Sequence, residues 1–217
     1  MTSSEPTVCL RRAAVTVLSL VAVAVLAAAG CGRKAARPRT ESEITWRGLR
    51  LGDGGARFEA AAQQAGWKTT CRPSDSVTFL DGPLLHTRWV KQADKARLKV
   101  CRAEPEAKPG DEVQGEIGAR AYLLDDRIVR LNVMTQGSDA DFQRALVKRY
   151  GTVATETIAV RLYKLERSGK MRTWTVRRPG AALLWMRGAR VQEIQVLPTD
   201  ERTLATLRGI AADRKGD

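Results

Sequence analysis

The stretch ARAYLLDDRIVRLNVMT, residues 119–135, decides the fold class. Two apolar, β-prone runs, Ala119–Leu124 and Arg127–Thr135, flank Asp125-Asp126. Aspartates tolerate the left-handed backbone that a tight two-residue turn requires, so the pattern predicts an antiparallel hairpin. In the second run Val129, Leu131 and Val133 alternate with Arg130 and Asn132, which predicts one buried and one polar face. The turn position also makes Asp125 and Asp126 turn formers rather than a catalytic carboxylate pair.

Upstream of the hairpin, order is expected to begin near Ile44–Leu51. Asp53 is placed to cap a helix to Ala65, with Phe58, Ala61, Ala62 and Ala65 on one side and Gly66 as its stop. Extended segments follow Trp67, with a tight turn at Asp81-Gly82 before Leu84–Val90 and a further strand over Arg97–Arg102. Glu104–Glu116, rich in acids and holding Pro105 and Pro109, reads as an exposed acidic loop.

Downstream, Ser138 and Asp141 form a capping-box pattern ahead of Phe142, Ala145, Leu146 and Arg149, and Gly151 ends that helix. Four strand-like segments then form a meander: Ile158–Leu165, Met171–Arg178, Ala181–Arg187 and Arg190–Leu197. Thr199, after Pro198, is expected to cap a last helix over Asp200–Ala212. The order predicts an α+β fold of antiparallel sheets and a few short helices. It divides into two helix-plus-strands units, 44–136 and 137–213, or one domain holding both.

The N-terminal region carries the address. Arg11-Arg12 precedes an apolar segment, Ala13–Ala29, that closes in Ala27-Ala28-Ala29-Gly30-Cys31. A basic region, an apolar region and a small-residue cleavage site are the parts of a secretory signal. The close resembles a bacterial lipobox, departing from it at Ala28, where leucine is usual. The resemblance implies removal of residues 1–30, acylation of Cys31 (palmitate among the chains) and membrane anchoring through that residue, because two or more acyl chains anchor stably. A plain secretory signal or an uncleaved helix over Ala13–Gly30 are the competing readings. The expected location is the bacterial cell envelope, facing the periplasm, with the outer membrane taken over the inner because Gly32 is not aspartate.

Residues 31–43 hold Pro38 and several cations without a large apolar side chain, and read as a flexible tether reaching about 40 Å when extended. With Cys9 in the signal and Cys31 acylated, Cys71 and Cys101 remain as an even pair in an oxidising compartment. A disulfide between them closes 31 residues and stabilises by about 3–4 kcal/mol on the chain-entropy model.

Gly48-Leu49-Arg50-Leu51-Gly52, followed by a helix ending at Gly66, resembles the opening of small envelope lipoproteins akin to beta-lactamase inhibitor protein, including the SmpA/OmlA assembly group. Asp53 stands where those proteins commonly continue with methionine. The resemblance implies partner-protein binding or support of outer-membrane assembly.

The chain carries a net charge of +13, and +12 without residues 1–30, which remove Arg11, Arg12 and Glu5. Between Thr157 and Arg190, nine Lys and Arg face Glu166 alone. Period-two alternation places Arg172, Trp174, Val176 and Arg178 on one strand face, and Arg172, Trp174, Arg177, Arg178, Arg187 and Arg190 form a candidate anion site, since guanidinium groups offer a planar donor fork. The competing reading is a solvated face balanced by the acidic loop. Outside the cytoplasm the candidate partners are an anionic lipid, lipopolysaccharide, a cell-wall polymer or an acidic envelope protein, and nucleic acid is excluded.

No nucleophile elbow, zinc-helix pair, phosphate loop or calcium loop occurs in the sequence. His86 is the single histidine and reads as a strand or surface residue, and Trp46, Trp67, Trp89, Trp174 and Trp185 read as core anchors rather than a sugar platform. The expectation is a non-enzymatic binding or assembly module without metal or cofactor. An enzyme or inhibitor acting on cell-wall material is the alternative.

Overall fold

Asp125 and Asp126 adopt positive φ, 48° and 62°, and turn strand β5 (Gly115–Leu124) into strand β6 (Arg127–Gln136). That is the left-handed pair a tight hairpin needs. Arg97 clamps the turn, its Nη2 lying 2.7 Å from Asp125 Oδ2, and this bonding holds the Asp125 carboxyl below its ordinary range. The computed structural model describes residues 43–106, 115–163, 167–187 and 191–213.

The hairpin sits inside one ten-stranded, mostly antiparallel sheet. Its other strands are β1 (Trp67–Pro73), β2 (Ser76–Asp81), β3 (Leu84–Trp89), β4 (Leu98–Pro105), β7 (Ala154–Leu162), β8 (Arg167–Arg178), β9 (Ala181–Arg187) and β10 (Gln192–Pro198). The spatial order is β1-β4-β5-β6-β10-β9-β8-β7-β3-β2. Among the described residues only β3 and β7 pair in parallel. The described helices are α1 (Gly55–Gln64), α2 (Asp139–Tyr150) and α3 (Glu201–Ile210). The result is a sheet-rich α+β fold, and residues from Glu41 onward form one compact unit in which β6 pairs with β10. Among the described residues no helix is long and apolar enough to cross a membrane.

One face of the sheet is covered by α1, α2 and the segment around Trp46. Ala103, Ala119 and Ala121 keep the sheet surface low beneath Phe58 and Ala62, while Leu131, Val133, Leu146, Tyr150 and Trp185 continue the same core. Each fully buried large apolar side chain contributes about 1.5–3 kcal/mol. On the opposite side, Leu204, Leu207 and Ile210 of α3 pack with Val77, Phe79, Leu98, Leu124 and Val129. Cys71 and Cys101 lie directly opposite each other on β1 and β4 and form the expected disulfide.

Several local expectations are corrected. The register of β5 against β6 shifts at Tyr122/Leu123, where Tyr122 faces Arg130 and Leu123 faces Ile128. This bulge moves Val129 out of the row of Leu131 and Val133 and puts Ile128 in its place. β6 is also buried on both faces, with Arg130 9% and Asn132 1% exposed, because neighbouring elements cover both sides.

Asp53 does not cap α1. Gly54 is the N-cap, and the buried Asp53 carboxylate instead accepts from Arg50 N at 3.0 Å and Arg57 Nη1 at 2.7 Å. The helix start crowds the hairpin turn, since a Cβ on Gly55 would lie 2.7 Å from Asp126 Oδ1. Asp200, not Thr199, caps α3 through Thr203 N at 2.8 Å, while Thr199 N donates to Gly180 O. Ser138 caps α2 as expected, accepting from Asp141 N, but Ala145 and Arg149 are exposed. The buried stripe of α2 runs through Leu146 and Tyr150, with Phe142 half-buried beside them.

Of the expected acidic loop, residues 107–114 lie outside the described residues, and its ends are strand. Glu104 and Pro105 belong to β4 and Glu116 to β5. Glu116 accepts from Trp46 Nε1 at 2.9 Å and from Arg47 Nη2 at 2.7 Å, which ties the N-terminal segment to the sheet.

Candidate functional site

Arg172, Trp174, Val176 and Arg178 do share one face of β8, as strand periodicity dictates, but it is the helix-covered face. Val176 is buried, and Trp174 stacks on Trp185 with ring centroids 4.2 Å apart. Arg177, the next residue in the chain, points to the other face and pairs with Glu156 on β7 at 2.8 Å. Arg190 and Cys31 lie outside the described residues.

Two of the candidate arginines serve α2. Arg178 Nη2 donates to Tyr150 O at 2.7 Å, satisfying a carbonyl at the helix C-terminus, where positive charge is favoured. Arg187 pairs with Asp139 in the first turn at 3.0 Å. Among the described candidates, Arg177 thus lies on the face opposite Arg172, Trp174 and Arg178. Charge spacing along a chain does not reveal which strand face each side chain takes or which helix end it meets.

Arg178 nevertheless reaches a concave surface. A cleft of about 640 Å³ opens where the β8–β9 turn, the start of β6, the start of α3 and residues 43–52 meet. Arg50, Arg127, Arg178 and Arg202 line it, against Glu43 and Asp200. Glu43 is engaged by Arg50 at 3.1 Å, and the Asp200 carboxylate caps α3. Arg127 Nη1 lies 3.3 Å from Gly52 O. Ile44, Leu51, Ile128, Val129 and Pro179 supply apolar wall. Cationic groups over an apolar wall suit an amphiphilic anion. Sequence reading missed Arg50, Arg127 and Arg202, which sit far apart in the chain and carry no shared motif.

His86 and one cluster within metal-ligating reach lie away from the cleft. His86 is buried in β3 and stacks on Phe79, with ring centroids 5.1 Å apart. Burial first, and then the Arg88 charge, lowers its pKa, so the neutral ring is favoured. Glu59, Cys71 and Cys101 lie within metal-ligating reach of one another, but both sulfurs are consumed by the disulfide and offer no thiolate.

The sheet face opposite α1 and α2 holds a polar network on β6 and β10. Arg130 Nε donates to Asn132 Oδ1 at 2.7 Å, and Asn132 Nδ2 donates to Glu193 Oε1. The Arg130 guanidinium lies over the Tyr122 ring, 4.6 Å from its centroid. Burial lowers the Arg130 pKa; Tyr122 and Glu193 raise it, and Arg120 lowers it further.

Comparison of the chain with protein-family models gives no match, and neither curated proteins nor solved structures yield one.

Proposed function

We propose that the protein is a lipid-anchored cell-envelope lipoprotein that acts as a non-enzymatic binding module, with the cationic cleft holding the phosphate end of an anionic envelope lipid. The observation that carries this reading is the cleft itself, in which four arginines stand over an apolar wall. Its position adds support. Glu43 and Ile44, the first of the described residues, line the cleft.

Two groups that could act as acid or base have structural uses. His86 is stacked and buried, and Asp125 is bound to Arg97. The strand order supports a finer architectural reading in the same proposal. β1-β4-β5-β6 after α1 and β7-β8-β9-β10 after α2 are two helix-plus-strands units, joined along β6 and β10, with β2–β3 inserted in the first.

Two experiments test the reading. Incorporation of a fatty-acid analogue should be lost in Cys31→Ala; retained labelling rejects the anchor. A full-length Cys31→Ser chain should sediment with phosphatidylglycerol vesicles and not with phosphatidylcholine vesicles. Each arginine near an anionic surface contributes about 1 kcal/mol, so Arg127→Gln with Arg202→Gln should weaken binding at least about tenfold. Equal binding to both lipids, or no loss in the double variant, rejects the cleft.

A further inference from the structure

Beyond the cleft, the polar face of the sheet carries a second cationic arrangement. Register places Arg102 of β4 directly opposite Arg120 of β5, and Arg120 opposite Asn132 of β6. Alternation keeps all three on the face away from α1 and α2, because Cys101, Ala103, Ala119, Ala121, Leu131 and Val133 belong to the helix-covered core. Arg130 belongs to the same face, paired opposite Tyr122.

Side chains directly opposite on antiparallel strands have Cβ atoms about 5 Å apart, and like charges there are destabilising. Arg102 and Arg120 are both half-buried, which reduces the screening that water would supply. Their Nε atoms are buried and have no hydrogen-bond partner among the described residues. Such donors cost free energy unless a ligand or water accepts from them.

Three guanidinium groups thus share a face on which Glu193 is the acid within the hydrogen-bonded network. One row away Glu104 lies opposite Lys68, which pairs with Glu106. We propose that Arg102 and Arg120 form a binding site for a phosphate-like oxyanion, bridged between the two guanidinium forks. A tetrahedral oxyanion accepts from both Nε groups and neutralises the repulsion between the two side chains. Arg130, held by Asn132 and stacked on Tyr122, adds positive potential behind them. This site does not rest on the cleft and uses none of its residues.

The test uses the acylated full-length protein in neutral detergent, with inorganic phosphate as the probe and chloride at matched ionic strength as control. Phosphate should raise Tm above the chloride value. Arg102→Gln and Arg120→Gln should each lose phosphate affinity by about tenfold or more, and each should raise Tm in chloride by relieving the repulsion. Arg102→Gln and Arg120→Gln should keep binding to phosphatidylglycerol vesicles while losing the phosphate shift, which separates failure of this site from failure of the lipid-binding reading.

In the unaltered protein, phosphate should slow phenylglyoxal modification at Arg102 and Arg120 relative to chloride, read by peptide mass. This keeps the test decisive where a variant does not fold. Equal shifts in phosphate and chloride, or equal modification rates in both, overturn the proposal. Release of phosphate bound to a cell-derived phospholipid extract, against free phosphate alone, distinguishes a headgroup from the free ion as the source.

Discussion

The two faces of strands β4, β5 and β6 hold opposite chemistries. On one, Ala103, Ala119, Ala121, Leu131 and Val133 lie beneath two helices; on the other, Arg102, Arg120, Arg130 and Asn132 occupy the same strands. The apolar row is fully buried, and on the polar face Arg130 and Asn132 are buried while Arg102 and Arg120 are half-buried. The apolar face gains free energy from every contact. The polar face must satisfy each donor, and where it does not, as at Arg102 and Arg120, it marks a place that an anion would complete.

The largest effect should follow from breaking the apolar face. Trp185 is fully buried and stacks on both Trp174 and Phe142. Trp185→Ala should cost about 3–5 kcal/mol, read as a lower urea midpoint with an unchanged slope. An effect below about 1 kcal/mol would mean that this face does not carry the core.

On the polar face a smaller cost is expected. Asn132→Leu leaves Arg130 Nε without its acceptor, at about 1–3 kcal/mol. Combining it with Arg130→Met should recover part of that loss, since removing a buried charge together with its partner is cheaper than orphaning it. A double variant less stable than Asn132→Leu alone would show that Arg130 stabilises by means other than this bond.

The smallest effect concerns pH. The folded-state pKa of His86 lies below the ordinary 6.5, so the unfolded chain takes up its proton first as pH falls. Stability is therefore full above about pH 6.5 and declines as pH drops toward the folded value. Tm measured from pH 7 to pH 5 should decline less in His86→Phe than in the unaltered protein. Identical profiles would remove His86 as the source.

Local signals were the legible ones. Asp125-Asp126 marked its hairpin and Ser138 its helix start, because turn and cap chemistry is decided within four residues. The Cys71–Cys101 pair was readable by elimination. Misreadings arose where two segments compete for one group. Asp53 has the side chain of a cap, yet Arg50 and Arg57 claim it. Val129 fits the alternation of its strand, yet a bulge against β5 turns it toward α3. The candidate anion residues followed charge density along the chain, whereas Arg177 and Arg178 occupy opposite faces and Arg178 also meets the end of α2.

By itself the sequence determined the sheet-rich α+β class, the β5–β6 hairpin, the α2 cap and the disulfide pair, because each depends on periodicity, backbone preference or residue count over a short span. Tertiary structure alone decided the parallel β3–β7 junction, the burial of Arg130, the facing of Arg102 with Arg120 and the four-arginine cleft. Those features join residues distant along the chain, and register and packing between elements set them, which no local pattern encodes.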